Sequence, residues 1–320
     1  GSAKEFFERV SQFQEEFPLW NDEMYYENHR GTYTSQAFAK KNNRKGEFLL
    51  TRSEMACAFA AAFADADYPA EELEEIWKIL LTNQFHDLLP GTSIHEAHED
   101  SKKDYAEMHK RGNTVLQSAL QKLTERILLP EDSVVCWNFT SWPQTGLVTV
   151  TLPKAGLAPA DENGRPLPYA VKETGSGAEV TFLAKDVPAM GYKAFRLVPA
   201  ESVETGLYVS ETRLENEYLR IELDENGYLT SVYDKANGRE VLSGKGNVLQ
   251  IFQDKPIHES AWNLELNYQK KGWEPAAESV TVSECSPVRA AVRVVRRFNK
   301  SVITQDIVLA AGAKRVDFET

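Results

Sequence analysis

The chain has 320 residues, 42% of them hydrophobic and 10% aromatic, and is therefore long and apolar enough for two hydrophobic cores. Its formal net charge is -12, which argues against nucleic acids and anionic membrane surfaces as partners, because both attract clustered positive charge. No apolar run approaches the roughly 18 to 20 residues that a transmembrane helix needs. The composition thus predicts a globular protein that binds neither nucleic acid nor membranes.

The cysteines and the chain ends give the first hints about context. Cys57, Cys136 and Cys285 are widely spaced and set among apolar residues, which indicates reduced, buried thiols and not a disulfide framework. We therefore expect a reducing compartment and a cytoplasmic location. Gly1-Ser2 resembles the remnant of a cleaved tag, and the last residues resemble the middle of a strand. Both ends are accordingly expected to be cut from a longer protein.

Helical periodicity dominates the first part of the chain. A first helix is predicted from about residue 35 to residue 64, with an apolar stripe at Phe48, Met55, Ala56, Phe59 and Phe63. A second helix follows Pro69, with its buried stripe at Leu73, Ile76, Trp77, Leu80, Leu81 and Phe85. The third is predicted to start at Ser93, which would form a capping box with Glu96. Long helices with short connections predict a three-helix antiparallel bundle over residues 35–130.

The first helix also carries the densest basic patch of the chain. It consists of Lys40, Lys41, Arg44 and Lys45. Because these residues are interleaved with asparagine within a helical pattern, we interpret them as a solvated or domain-contacting face and not as a phosphate site.

The hydrophobic period changes from about 3.6 to about 2 at residues 129–132, where we place a domain boundary. Segments rich in β-branched and aromatic residues then predict strands at 134–137, 147–152, 192–198, 219–223, 228–233, 248–252 and 288–298. Asn226-Gly227 and Asn237-Gly238 favour tight antiparallel hairpins. The predicted fold is thus a helical bundle followed by a large, incomplete antiparallel β-sandwich over residues 131–320, with residues 1–34 as the tail of a missing domain and a linker.

The segment between the second and third helices has the most chemical content. His86-Asp87 follows an apolar helix and precedes the Pro90-Gly91 turn, so it can present one metal ligand and one hydrogen-bond acceptor to the same cleft. The alternative is that His86 caps the carbonyls at a helix end while Asp87 is solvated. The dipeptide alone does not decide between these two interpretations.

Two further clusters could carry chemistry. Residues 23–35 include Glu23, Tyr25, Arg30 and Tyr33, and polar groups beside aromatic rings suit a sugar, although a helix start capped by Thr34 or Ser35 is an equally good interpretation. The second cluster is a pair of histidines, His95 and His98, at helical spacing among acidic residues. A solvated acidic face is the better interpretation of that pair, because a helix-borne zinc site also needs a third ligand.

Taken together, three stretches resemble glycoside hydrolase family 38, the class II α-mannosidases. They are residues 25–36 (YYENHRGTYTSQ), residues 84–96 (QFHDLLPGTSIHE) and residues 138–143 (NFTSWP), which occur in the family's order. Further similar pieces are residues 216–218, 224–234, 252–256 and 261–263. The resemblance extends over essentially the whole chain.

The resemblance implies an enzyme with an N-terminal catalytic domain, a three-helix middle domain, C-terminal β-sandwich domains and one zinc ion where the first two domains meet. It implies that His86 is a zinc ligand, that Asp87 accepts hydrogen bonds from mannose hydroxyls, and that Arg30, Tyr33 and Trp262 also bind the α-mannoside oligosaccharide. The nucleophile and the general acid are expected in the missing N-terminal domain. The chain alone is therefore expected to be inactive and to leave its zinc site unfilled.

Two other function classes stay open at this point. One is a non-catalytic carbohydrate-binding or scaffold module, which an acidic, aromatic-rich sandwich would suit. The other is a helical His-Asp phosphohydrolase, but its metal site would need more His and Asp ligands than His29 and His95 convincingly supply.

Overall fold

The computed structural model describes residues 1–21, 27–130, 132–153, 155–175, 177–199 and 203–320. In these ranges four α-helices precede seventeen strands. The helices are α1 (Ala3–Val10), α2 (Ala37–Phe63), α3 (Ala70–Asn83) and α4 (His95–Thr124), and short 3-10 helices span Ser11–Glu16, Glu27–Tyr33 and Leu266–Lys270. Within these ranges we find no helix with the length and apolar character needed to cross a membrane.

Helices α2, α3 and α4 pack together as the predicted bundle. Part of its core is a group of fully buried large side chains, namely Leu50, Ile76, Leu80, Tyr105 and Met108. Two glycines let the helices approach closely, since a Cβ on Gly46 would lie 2.8 Å from the Met108 sulfur and a Cβ on Gly112 would lie 2.9 Å from Leu49 Cδ2. The three-helix bundle is thus confirmed, and its packing depends on small residues at the helix contacts.

The predicted apolar stripe of α2 is wrong in part. Phe48 and Phe63 are 50% and 72% exposed, respectively. The buried positions of α2 include Ala39, Gly46, Leu49, Leu50, Ser53, Ala56, Cys57 and Ala60. Because two neighbouring helices lie close to α2, small and aliphatic residues fit its inner face and the large aromatic rings are left outside.

The ends of α3 and α4 also differ from expectation. Leu81 and Phe85 lie 55% and 57% exposed, so the buried stripe of α3 ends earlier than its periodicity suggests. Helix α4 begins at His95 after the N-cap residue Ile94, which makes no side-chain cap hydrogen bond. The predicted capping box at Ser93 is therefore not formed, because the helix starts two residues later than expected.

The first part of the β region has a core of its own. Its strands are β1 (Ser133–Asn138), β2 (Gln144–Leu152), β3 (Leu157–Ala160), β4 (Tyr169–Thr174), β5 (Gly177–Val187) and β6 (Gly191–Pro199). They form two three-stranded sheets in the orders β1-β6-β3 and β2-β5-β4. Between them lies a core that includes Leu152, Val180, Phe182 and Phe195.

The second part of the β region forms a second core. Its strands are β7 (Tyr208–Ser210), β8 (Arg213–Glu215), β9 (Leu219–Leu223), β10 (Leu229–Asp234), β11 (Arg239–Glu240), β12 (Ile251–Phe252), β13 (Gly272–Trp273), β14 (Ala277–Cys285), β15 (Arg289–Phe298), β16 (Ser301–Ala310) and β17 (Asp317–Glu319). A five-stranded sheet, β11-β10-β9-β8-β7, and a four-stranded sheet, β14-β15-β16-β17, share a core that includes Leu214, Ile221, Val292 and Ile307. The predicted antiparallel β region thus consists of two units.

Every strand pair in the described ranges is antiparallel. The hairpins predicted at Asn226-Gly227 and Asn237-Gly238 join β9 to β10 and β10 to β11, with φ of +68° at Gly227 and +63° at Gly238.

Cys285 is exposed, in contrast to the buried thiol that the sequence predicts, whereas Cys57 and Cys136 are buried. Cys285 is the last residue of β14, where the strand leaves the sheet.

Two buried asparagines hold strand ends in place. Asn138 donates through its amide nitrogen to the carbonyls of Trp142, Val187 and Pro188, at 2.8, 3.1 and 3.0 Å, and its Oδ1 accepts from the amide and the hydroxyl of Thr140. Asn216 makes a similar set of bonds in the second β unit, with donation to the carbonyls of Ala310 and Ala313. Both side chains therefore act as structural bridges between loops that lie far apart in sequence.

Aromatic packing attaches the bundle to the first β unit. The ring of Phe139 lies 5.8 Å from that of Phe59 on α2 and stacks on Trp137 at 6.3 Å. Both aromatic residues pack against the small-residue core around Ala56 and Ala60. The first β unit is thus fixed directly to the bundle.

The position of the buried stripe on α2 can be tested by substitutions at Leu50 and Phe48, two positions that lie on opposite faces of the helix. Leu50→Ala is expected to lower the free energy of unfolding of the bundle by about 2 to 5 kcal/mol, because it opens a cavity in a fully buried site. Phe48→Ala should cost less than about 1 kcal/mol, because half of that side chain is already in water. Urea unfolding followed by helical circular dichroism measures both changes, and a larger cost for Phe48→Ala would contradict the observed packing.

Candidate active site

The connection between α3 and α4 carries His86 and Asp87 on a series of tight turns. The amide of Leu88 donates to the carbonyl of Phe85 at 2.9 Å, and the amide of Thr92 donates to the carbonyl of Asp87 at 3.2 Å. At its base the side chain of Gln84 donates to Asn43 Oδ1 of α2 at 3.0 Å. The connection, which we call the His-Asp loop (residues 84–92), is therefore held by internal hydrogen bonds and by an anchor to the bundle.

His86 and Asp87 are both presented at the surface. The side chain of His86 is 72% exposed and that of Asp87 is 43% exposed, with 3.6 Å between His86 Nε2 and Asp87 Oδ2. The hydroxyl of Thr92 donates to Asp87 Oδ1 at 3.1 Å, which orients the carboxylate. An imidazole and a carboxylate are thus available side by side to a group outside this chain.

The helix-cap interpretation of His86 is not supported by the end of α3. The carbonyls of Leu81 and Thr82 accept hydrogen bonds from the amides of Gln84 and Phe85, at 3.1 and 3.2 Å. The backbone therefore satisfies these terminal carbonyls itself. Within the loop, the His86 ring lies beside the Asp87 carboxylate and also packs on the ring of Phe85, at a centroid distance of 4.3 Å.

The polar and aromatic segment before α2 folds as a 3-10 helix, Glu27–Tyr33. Its turns are closed by side chains, since Thr32 Oγ1 donates to the carbonyl of His29 at 2.6 Å and Ser35 Oγ donates to the carbonyl of Gly31 at 2.9 Å. Arg30 is half-buried and Tyr33 is 65% exposed. Glu23 and Tyr25, which the sequence places in the same cluster, lie outside the described residues.

Neither Thr34 nor Ser35 caps α2. The N-cap residue is Gln36, which has a left-handed backbone with φ of 52° and makes no side-chain cap hydrogen bond. Besides the carbonyl of Gly31, the hydroxyl of Ser35 donates to the carbonyl of Ala261 at 2.9 Å. The polar residues of this segment are thus used for contacts with the β region and not for a helix cap.

A loop of the second β unit reaches this segment and carries Trp262. The amide of Gly31 donates to the carbonyl of Trp262 at 2.9 Å, and the rings of His29 and Trp262 meet edge to face at 5.1 Å. A Cβ on Gly31 would lie 3.0 Å from the carbonyl oxygen of Asn263, so only glycine allows this approach without a shift. Residues 29–35 and 259–263 therefore form one contact region.

The His-Asp loop closes on the same region from the other side. Gly91 has a φ of +85°, and a Cβ there would lie 2.5 Å from the carbonyl oxygen of Ser35. Lys40 of α2 donates from Nζ to the carbonyl of Pro90 at 2.8 Å and also to the carbonyl of Ser35. We call the meeting of the His-Asp loop with residues 29–36 and 259–263 the loop junction.

The loop junction brings together the segments that carry all five predicted site residues. His86 and Asp87 come from the His-Asp loop, Arg30 and Tyr33 from the 3-10 helix, and Trp262 from the β region. Sequence reasoning missed the part played by Lys40, which it assigned to a solvated or domain-contacting face. The acceptors of Lys40 are backbone carbonyls 5 and 50 residues away, and no sequence pattern announces such contacts.

The His95 and His98 pair has a different character from the one expected. His95 is exposed, but His98 is only 4% exposed and lies 6.0 Å from the ring of Phe38, so it is a core residue and not part of a solvated face. Among the described residues, no group of three or more His, Cys, Asp or Glu side chains could hold a metal ion. A metal site at the loop junction would therefore need ligands from another part of the protein.

The backbone approach at Gly91 can be tested by adding one methyl group. Gly91→Ala should release the His-Asp loop, because the new Cβ meets the Ser35 carbonyl and the positive φ adds about 1 kcal/mol of strain. Hydrogen exchange of residues 84–93 is expected to accelerate at least about tenfold, which corresponds to 1.4 kcal/mol of local opening. Gly238→Ala is the matched control, because it has a similar φ of +63° and its nearest atom is 3.9 Å away. Equal exchange in this loop for both variants would contradict the steric argument.

Comparison with known proteins matches two parts of the chain to family models. Residues 27–123 match a family model described as the alpha mannosidase middle domain, and residues 214–320 match one described as the glycosyl hydrolases family 38 C-terminal domain. The first match contains the helical bundle with the His-Asp loop. The second contains most of the second β unit, including Trp262.

The relatives found by sequence are all named as α-mannosidases. Alpha-mannosidase 2C1 of Homo sapiens is 29% identical over 334 residues, which cover 100% of this chain and 30% of the human sequence. Alpha-mannosidase G of Dictyostelium discoideum is 24% identical, with 99% of this chain and 32% of the relative covered. The chain thus spans about 30% of the length of these curated relatives.

Solved structures share the fold. An alpha-mannosidase from Enterococcus faecalis V583 superposes with a TM-score of 0.71 at 18% identity, over 98% of this chain and 45% of that chain. A second structure, of a protein in glycosyl hydrolase family 38 from Enterococcus faecalis, gives a TM-score of 0.69. At this identity the likeness shows the fold alone. Together with the two family models and the relatives, it shows that this chain belongs to glycoside hydrolase family 38.

Proposed function

We propose that this chain is part of a zinc-dependent, retaining α-mannosidase that hydrolyses terminal α-mannosidic bonds in oligosaccharides or glycans. The observation that carries the proposal is the loop junction, where an exposed imidazole and an exposed carboxylate lie on a loop packed near the segments that carry Tyr33 and Trp262. The family of the chain supplies the reaction class, since its members are glycoside hydrolases. The family match also favours an enzyme over a non-catalytic carbohydrate-binding module.

His86 is the residue of this chain that would hold the zinc ion. Its ring is largely exposed, and the neighbouring Asp87 carboxylate contributes negative charge 3.6 Å away, so the donor chemistry fits a divalent metal. One imidazole does not make a tight site, because protein zinc sites use three or four ligands. The remaining ligands would come from the catalytic domain, and zinc bound there would polarise and orient the hydroxyls of the sugar.

Asp87 would position the mannose hydroxyls. Thr92 holds its Oδ1, which leaves Oδ2, on the His86 side, to accept hydrogen bonds from a ligand. Tyr33, with 65% of its surface exposed, can offer a flat ring to the C-H face of a sugar, and half-buried Arg30 and Trp262 lie on the adjoining segments. These four residues would bind the substrate, while the nucleophile and the general acid of a retaining reaction would be two carboxyl groups of the catalytic domain.

The exposed apolar residues of the N-terminal segment support the proposal that a further domain packs against this chain. Helix α1 contains no buried residue, and Phe6, Phe7 and Leu19 are 60%, 66% and 94% exposed. Apolar surface of this extent is typical of a protein contact and not of free solvent. We infer that this segment packs on the catalytic domain.

A cytoplasmic location remains part of the proposal. The three cysteines of the chain, Cys57, Cys136 and Cys285, are all free thiols. Cys285 is exposed and would be oxidisable in a disulfide-forming compartment.

The proposal predicts different behaviour for the full-length protein and for this chain alone. The 320-residue chain should not hydrolyse an aryl α-mannoside and should bind zinc no better than a surface histidine, because its described residues supply too few ligands. The full-length protein should be active and should hold one zinc ion per molecule. Steady-state kinetics and metal analysis of both proteins test this, and mannosidase activity in the isolated chain would contradict it.

Substitutions in the full-length protein test the individual roles. His86→Ala should remove the zinc ion and lower kcat/KM at least about 1,000-fold, which corresponds to about 4 kcal/mol of transition-state stabilisation. Asp87→Asn should leave the zinc ion bound and lower kcat/KM about 100-fold, since a charged hydrogen-bond acceptor is worth up to about 3 kcal/mol. His95→Ala is the matched control, because His95 is an exposed histidine at the start of α4. An undiminished rate in His86→Ala would show that the active site lies elsewhere.

A further inference from the structure

We propose that Lys40 is a positioning residue of the active site, whose ammonium group fixes the His-Asp loop against the segment that carries Arg30 and Tyr33. The inference rests on the proposed function, because it names the group that holds the proposed metal and substrate ligands in place. Lys40 itself belongs to α2 and would touch neither the metal nor the sugar.

The contacts of Lys40 are of an unusual kind for a basic residue near a helix start. Its Nζ donates to the carbonyls of Pro90 and Ser35, and both acceptors are backbone groups outside the helices. Lys78, by contrast, is exposed and pairs with Glu74 and Glu75 on its own helix. Lys40 is half-buried, and this burial lowers the pKa of its ammonium group. The ammonium group of Lys40 thus links two loops and does not form a solvent-exposed ion pair on its own helix.

The two acceptors explain why the link needs a donor with a positive charge. Because Gly91 lacks a side chain, the Ser35 carbonyl lies close to the Pro90-Gly91 turn, and two partly negative oxygens face the same space. The ammonium group satisfies both oxygens at once. If it were removed, two carbonyl groups at a partly buried contact would lose their partner, which favours separation of the loops.

The same link extends to the β region. Ser35, whose carbonyl accepts from Lys40, donates through its hydroxyl to the carbonyl of Ala261, the residue before Trp262. On the other side Pro90 lies within the turns that contain Asp87, closed by the bonds between Thr92 and Asp87. A shift of Pro90 would therefore also move the carboxylate of Asp87. Lys40 links the His-Asp loop directly to Ser35 and, through Ser35, to the segment that carries Trp262.

The core of the bundle does not depend on the Lys40 side chain. Its large buried residues, such as Leu50, Ile76 and Met108, lie further along the helices. The neighbouring Lys41 is exposed on the same helix and serves as a matched control. Loss of the Lys40 ammonium group should thus free the loops while the helices keep their packing.

The test compares Lys40→Met, Lys40→Arg and Lys41→Met in the full-length protein. Lys40→Met keeps an unbranched side chain one atom shorter but removes the donor, and it should lower zinc affinity and kcat/KM for an aryl α-mannoside by about 10- to 100-fold, the range found when groups that orient metal ligands are lost. Hydrogen exchange of residues 84–93 in the metal-free protein should accelerate at least about tenfold. Lys40→Arg, which keeps a charged donor, should recover most of both losses, and Lys41→Met should match the unaltered protein.

The outcomes separate this inference from the proposed function. An unaltered full-length protein without mannosidase activity would overturn the proposed function, while the hydrogen-exchange comparison would still test Lys40. Full activity in the unaltered protein, together with equal exchange and equal kinetics for Lys40→Met and Lys41→Met, would overturn the positioning role alone. A uniform rise in exchange across α2, α3 and α4, or failure of Lys40→Met and Lys40→Arg alike to fold, would also overturn it, because Lys40 would then support the bundle as a whole.

Discussion

The approach of the Ser35 carbonyl to Gly91 is the constraint on which the arrangement of the loops depends. It requires a left-handed backbone and the lack of a Cβ at Gly91, and the ammonium group of Lys40 stabilises it by donating to the carbonyls of Ser35 and Pro90. Given this contact, the His-Asp loop has little freedom, because its internal turns are also closed. The bundle anchors the loops on one side, and the β region contacts them through the carbonyls of Ala261 and Trp262.

Electrostatics at the loop junction follow from the same geometry. The ammonium group of Lys40 is half-buried and donates to two backbone oxygens, whereas the side chain of Asp87 is 43% exposed. The imidazole of His86 stands beside that carboxylate in a largely exposed position. The protein thus separates a structural charge from the groups that are presented outward.

The sequence could predict features that depend on local chemistry. The hairpins at Asn226-Gly227 and Asn237-Gly238 were predictable because the dipeptides themselves accept positive φ. The helical bundle followed from periodicity, but the inner face of α2 did not, because Gly46, Ser53 and Ala60 are buried only where other helices come close. The division of the β region into two cores was not predictable either, since alternation of residues identifies strands but not their partner sheets.

The contacts at the candidate site were even less predictable from the sequence than the fold. The resemblance of residues 84–96 to a known family pointed to His86 and Asp87, and the chemistry of the dipeptide alone left a helix cap open as an alternative. The contacts that bring Trp262 to Gly31, or Lys40 to Pro90, join residues that lie far apart in sequence, and no pattern in the chain encodes them. Tertiary structure was needed to show that these segments meet.

The hydrogen bonds of the buried Asn138 side chain are incompatible with N-linked glycosylation of that residue. Asn138-Phe139-Thr140 is a formal acceptor sequence for N-linked glycans, yet the amide nitrogen that would carry the glycan donates to three carbonyls, and the side chain is only 4% exposed. A sugar attached there during synthesis would take that nitrogen away from the end of β1 and place a bulky polar group beside the aromatic stack of Trp137 and Phe139. The folded arrangement is therefore compatible only with an unmodified asparagine, so passage through a glycosylating compartment would set a covalent modification in direct competition with folding.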